Sequence, residues 1–280
     1  MASLLALFSS VLWGTADYLG GNLSKRYKAL AVTGASQVAG LMIGVVLVLL
    51  TGSWIAPTFS WNGYFLPAIG AGITGFLGIA AFYSGLATGR MGVVSPISSL
   101  CAIIPLGYSL MHGERPQLMQ FIGMAVALAG AFCASGPEIV KKLPVKPLFL
   151  GLCAAIGFGT ALTFMAQGSK TSPLLTMTAM RVISVGACAL IAIRYRSIGG
   201  FGRADLKVLA FLGVSDFLAN YFLGIATTKG LVSIAMVLGS LFPIVTSLLA
   251  FRFLHERLHK VQYLGIFLAV AGVALISVGG

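Results

Sequence analysis

Apolar residues run through this chain in blocks of about twenty, set apart by short clusters of Gly, Pro, Ser and charged residues. A helix rises 1.5 Å per residue, so about 20 apolar residues cross a hydrocarbon layer of about 30 Å. The blocks predict ten spanning helices, at 2–22, 30–50, 64–87, 93–111 and 117–136 in the first half and at 148–168, 174–193, 206–228, 231–251 and 261–279 in the second. We number them spans 1 to 10 and their connections loops 1 to 9. Loop 1 is the basic Ser24-Lys25-Arg26-Tyr27-Lys28. Loop 2 carries Trp54 and Trp61, as an interfacial aromatic belt does. The chain divides into 1–136, a linker at 137–147, and 148–280.

The two halves repeat one another residue by residue. Trp13-Gly14-Thr15-Ala16 aligns with Phe158-Gly159-Thr160-Ala161, and at the same offset Ser24-Lys25 aligns with Ser169-Lys170. Gly85-Leu86-Ala87-Thr88 matches Gly224-Ile225-Ala226-Thr227. Near each end, Glu114-Arg115, Gln120, Gly123, Ala127 and Gly130 match Glu256-Arg257, Gln262, Gly265, Ala269 and Gly272. Five spans per copy is an odd number, which forces the second copy to insert upside down. Inverted repeats of this kind place a binding site near the midplane and permit alternating access.

Composition sharpens the class. The chain is 58% hydrophobic and 9% charged, where a soluble domain carries about 25% charged residues. The expected fold is an all-α membrane protein of ten transmembrane helices in two inverted five-helix repeats. Ten spans use about 200 residues and leave no room for a soluble catalytic domain. The net charge of +12 sits in short loops, without a basic stripe interleaved with aromatics, so it speaks for membrane topology and against nucleic acid. Cys101, Cys133, Cys153 and Cys188 all fall inside apolar blocks and form no CxxC or Cys/His cluster, so neither a disulfide framework nor a metal site is expected. There is no GxSxG, Walker A or HExxH, and no enzyme activity is expected.

Trp13-Gly14, the Glu-Arg turn before the last span of each half, and the Gly123/Gly130 and Gly265/Gly272 pairs resemble the EamA repeat of the drug/metabolite transporter superfamily. The resemblance covers nearly the whole chain in two copies. It implies ten helices and transport of a small organic metabolite, without nucleotide, cofactor or prosthetic group. One departure stands out: the Trp-Gly of span 1 is Phe158-Gly159 in span 6, so the halves need not contribute equally to a pocket.

Charges at membrane depth are costly and are functional candidates by default. Three lie well inside spans: Asp17, Arg181 and Asp216. Asp17 follows Trp13 by one turn, with Gly14 and Gly21 close by. It is a candidate site for a proton or a cationic substrate group, against the plainer reading that it reaches water or Lys25 at the helix end. Asp216 stands one turn before Asn220, with Tyr221 next, and reads either as part of a polar pathway or as a structural partner for Arg181. Arg181 reads as a clamp for a substrate carboxylate or as a counter-ion for Asp17 or Asp216; the resemblance implies a structural or gating role for it. Among the aromatics, Trp13 and Tyr83 are the best candidates for a substrate cage. Pro96, Pro105 and Pro243 fall inside spans 4 and 9, where a proline kinks a helix and can serve as a hinge. Glu114 and Glu256 are read as favouring the N-termini of spans 5 and 10.

The expected protein is a multi-pass carrier of the plasma (inner) membrane, a secondary transporter and exporter by alternating access, with its pocket between spans 1, 3, 6 and 8 and with possible proton coupling. Its partners are a small-molecule substrate, the lipid bilayer and protons, and it is a monomer or weak dimer. The alternatives are a cationic drug exporter and a membrane protein with a structural or sensor role. Orientation is contested. Of the 18 Lys and Arg, 14 lie in odd-numbered loops and three in even ones, which puts the odd loops in the cytoplasm and both termini outside. The resemblance implies the reverse.

Overall fold

An unpaired backbone polar group is costly in hydrocarbon, and a helix satisfies its own, so each apolar block folds as helix. The computed structural model describes residues 1–86, 91–137, 145–195, 200–254 and 257–279, and among them every regular element is helical. Spans 1 to 3 are α1 (Ala2–Ser24), α2 (Ala29–Thr51) and α3 (Phe65–Leu86). Span 4 is α4 (Met91–Ser99), a 3-10 turn at Leu100–Ala102, and α5 (Ile103–Met111); span 5 is α6 (Leu118–Ala134). Spans 6 to 8 are α7 (Val145–Ser169), α8 (Pro173–Tyr195) and α9 (Arg203–Lys229). Span 9 is α10 (Val232–Gly239) followed by α11 (Phe242–Phe253), and span 10 is α12 (Lys260–Val278). Among the described residues nine stretches are long and apolar enough to cross a bilayer, and the 17-residue α6 is the shorter tenth. Residues 138–144 of the expected linker lie outside the described residues.

Two spans are interrupted, and they are counterparts in the two repeats. Pro105 stands in the first turn of α5 and Pro243 in the first turn of α11. A proline has no N–H to bond the preceding turn, so the helix behind it ends or loosens. Pro96 lies inside α4, just ahead of the 3-10 turn. In span 4 the interruption is the 3-10 turn within one continuous helical run, and in span 9 it is a two-residue turn, Ser240-Leu241, that ends α10 before α11 begins.

The repeats interlock. α1 packs on α9, α10 and α11, while its counterpart α7 packs on α3, α4 and α5; α2 meets α8, and α6 meets α12. Each of these contacts joins one repeat to the other, and exchanging the repeats maps the set onto itself, as inverted copies require. The repeated glycines sit where this packing is closest. A Cβ on Gly14 would lie 2.7 Å from the Phe242 carbonyl oxygen, and one on Gly159 would strike the Cys101 carbonyl and come within 2.8 Å of Ile104 Cβ. The glycine after Trp13, or after Phe158, thus lets the first helix of one repeat press on the break in the fourth span of the other. Between α6 and α12, a Cβ on Gly130 would lie 2.5 Å from the Ala269 nitrogen and one on Gly272 2.6 Å from the Ala127 nitrogen. Such small residues let backbones touch where no hydrophobic effect draws helices together.

The two ends of the bundle differ. At the even-loop end, α5 packs on α10, which is buried from Ser233 through Gly239. At the odd-loop end no comparable packing joins α4 to α11 among the described residues, and Pro243 is the single buried residue of α11. The role expected of Glu114 needs correction here. Its carboxylate accepts the N–H of Val232 at 2.7 Å and of Ser233 at 3.0 Å, so it serves the start of α10. The start of α6 is already served by a capping box: the Gln117 side chain accepts the Gln120 N–H, and Gln120 Oε1 accepts the Gln117 N–H at 2.9 Å. Glu256 lies outside the described residues.

Candidate functional site

Arg181 lies about 12 Å along α8 from its first residue, and Asp216 stands at the middle of α9. At this depth water cannot satisfy a guanidinium, so the protein must supply every partner. Arg181 donates through Nη2 to Asp216 Oδ2 at 2.7 Å and through Nη1 to Gln37 Oε1, also at 2.7 Å. Its side chain is 6% exposed and that of Asp216 22%. The Trp13 indole N–H donates to Asp216 Oδ1 at 3.0 Å. Asn220 Nδ2 binds the Asp216 carbonyl at 2.7 Å and reaches Oδ1 at 3.4 Å, and Gln37 Nε2 reaches Oδ2 at 3.5 Å. One Arg181 donor, Nε, is buried without a partner. It faces Gly40, whose added Cβ would lie 3.4 Å away.

The network therefore gathers Trp13 from α1, Gln37 from α2, Arg181 from α8, and Asp216 and Asn220 from α9. It joins spans 1, 2, 7 and 8 and leaves out spans 3 and 6. Of the readings open for Arg181, the structure forms the pair with Asp216.

Asp17 is different. It is exposed and has no hydrogen bond or ion pair among the described residues. At about 100° per residue it lies about 180° around α1 from Phe8, which belongs with Leu4 and Val11 to the exposed apolar face. Lipid therefore wets the opposite side of the helix, and Asp17 faces the interior, within electrostatic reach of Asp216. Gly21, one turn nearer the odd-loop end on the same face, is also exposed, and a Cβ added there would meet nothing within 4 Å. Together these residues mark open space on the interior face of α1, from Asp17 toward the odd loops.

The other candidates divide. Gly14 is a packing position. Tyr221 stacks with Phe217, ring centroids 6.5 Å apart, as part of the core. Tyr83 lies on α3, with its side chain outside the described residues. Pro96, Pro105 and Pro243 flank the helix breaks. The Trp13 ring meets Phe242 edge-on at 6.0 Å, so it links the network to the break in span 9. A groove of about 510 Å³ between α1, α9 and α11, lined by Thr15, Tyr18 and Leu19 among others, lies on the outer side of α1, away from the network. Among the described residues no three His, Cys, Asp or Glu side chains gather as metal ligands.

Gln37 is the member that sequence reasoning missed. The available signal was an uncharged amide in the middle of an apolar span; unlike Asn220, which follows Asp216 by one turn, Gln37 has no charged residue within a turn of it in the sequence.

The halves differ at the centre for a physical reason. At the offset that matches Gly224 to Gly85, the counterpart of Asp216 is Leu77. Phe158, the counterpart of Trp13, has no N–H and needs no acceptor there. It packs against Gly78 and Phe82 instead.

Comparison with known proteins agrees with this architecture. The family model described as the EamA-like transporter family matches residues 1–136 and again 145–278. An uncharacterized protein of Methanocaldococcus jannaschii is 29% identical over 134 residues, 47% of this chain and 96% of its own length, so that relative is about one repeat long. A solved crystal structure superposes with a TM-score of 0.83 at 18% identity, covering 99% of this chain and 96% of the other. At that identity the likeness speaks for the fold.

Proposed function

The chain belongs to the EamA-like transporter family, and from that premise we propose that it is a secondary carrier that exports a small organic metabolite across the plasma membrane by alternating access, with Asp17 as its proton or cation site. One observation carries the reading. Arg181 and Asp216 neutralise each other, while Asp17 faces the interior open space with no partner of its own among the described residues. A carboxylate at membrane depth without a counter-ion calls for one, and a proton or a substrate ammonium can each supply it. The break in span 9, which Phe242 joins to Trp13, supports the same reading, because carrier sites form where spanning helices are interrupted.

A cationic substrate is the second reading. It is favoured by the state of Arg181, whose charge is already matched by Asp216 and whose remaining Nε is closed off by Gly40. An anionic substrate would find no free cation in this network.

The test is flux in proteoliposomes, after a substrate screen in a strain overproducing the protein. Asp17→Asn should abolish or uncouple transport and leave folding intact. Unchanged flux would remove Asp17 from the mechanism. If uptake of a cation is lost while a pH gradient no longer matters to either protein, the second reading stands.

A further inference from the structure

We propose that Glu114 is the gating residue that holds the even-loop end shut, by clamping the N-terminus of α10 to loop 4. The proposal rests on the alternating-access reading above. The first N–H groups of a helix have no partner within it and carry partial positive charge. Helices usually meet this need with a local Ser, Thr, Asp or Asn. α10 begins after Gly230-Leu231, and Leu231 has no side-chain acceptor to offer. Its cap comes instead from the other repeat, across 118 positions of sequence: Glu114 Oε1 takes the Val232 N–H and Oε2 the Ser233 N–H.

A cap supplied this way exists only while the two parts stay together. Loop 4 continues directly from α5, and α5 packs on α10 to close the even end. Behind the contact lies a cavity of about 140 Å³, lined by Tyr108, Ser109, Gln167 and Lys170 together with Glu114 and Val232. Opening this end requires α5 and α10 to part. Glu114 must then release N–H groups that have no local substitute. Gly113, with φ +99°, supplies the left-handed turn that brings the next residue back toward α10.

The test reads accessibility from each side with a membrane-impermeant maleimide, in vesicles and in a background whose four native cysteines are replaced by Ala. One reporter is Ser109→Cys, in the cavity behind the clamp. The other is Gly21→Cys, in the open space toward the odd loops. Two hydrogen bonds to a charged acceptor favour the closed state by roughly tenfold or more. Glu114→Ala should therefore raise labelling at position 109 from the even-loop side by about that factor and lower labelling at position 21 from the odd-loop side, since the two openings exclude each other. Glu114→Gln, which keeps the shape and one acceptor oxygen, should fall between, and it carries the test should the Ala variant not fold. Labelling that rises at 109 without falling at 21 would mean local fraying of α10 and would overturn the gate. So would no change at either position. Labelling needs no substrate, so a wild-type protein without flux would refute the carrier reading and leave this result to be read on its own.

Discussion

The Arg181–Asp216 pair makes an ordered prediction about stability. Removing one partner of a buried ion pair costs about 3–5 kcal/mol, because a charge is left behind without water. The two deletions are unequal in this site. Asp216→Leu leaves Arg181 with Gln37 as its one side-chain acceptor among the described residues, at 6% exposure and with Nε already unpaired. Arg181→Met leaves Asp216 holding the Trp13 indole N–H and within reach of Asn220 and Gln37, at 22% exposure. The first loss should therefore lie near the upper part of that range, and the second nearer about 2 kcal/mol, the cost of an incompletely satisfied acceptor. The double variant should recover part of the first loss, with a coupling of about 1–3 kcal/mol. The assay is denaturant unfolding in detergent of the wild type, both single variants and the double variant. Additive losses, or Arg181→Met proving the worse of the two, would refute the claim that Asp216 is the main counter-ion of Arg181.

Two further outcomes follow from the packing and the charge pattern. Gly130→Ala should cost about 1–3 kcal/mol in the same unfolding assay, because its new methyl would meet backbone atoms of α12. Gly21→Ala, with open space at its Cβ, should lose no stability, and equal losses at both sites would sink the close-packing account. For topology, a reporter active only in the cytoplasm and fused after Gly280 should stay silent if the basic odd loops set the orientation; activity there would show that they do not.

The fold was largely legible because hydrocarbon leaves the backbone few choices. An apolar block of twenty must be helix, and the repeats announced themselves in Trp13-Gly14 against Phe158-Gly159 and in the glycine pairs of α6 and α12. The breaks in spans 4 and 9 were signalled by Pro105 and Pro243, though not their extent, since whether a helix bends or stops depends on what packs behind the proline. The site was half legible. Asp17, Arg181, Asp216 and Trp13 were singled out, but which acid would take the arginine is a matter of distance across 35 positions for Asp216 and far more for Asp17. Gln37 has no charged neighbour along its own helix, and its partners Arg181 and Asp216 come from α8 and α9. The partner of Glu114 could not be read at all, because local spacing pointed to span 5 while the unmet N–H groups lay at the start of α10.

The presence of Leu77 where the other half has Asp216 has a consequence for how such a molecule can arise. In an assembly of two identical five-helix chains, any residue placed off the two-fold axis occurs twice. Two Arg–Asp pairs would then crowd the centre, and each indole would need its own carboxylate. Joining the copies in one polypeptide lifts that constraint. One half becomes free to hold the charges and the other to stay apolar, so covalent linkage here gives what symmetry forbids: a single, off-centre electrostatic anchor.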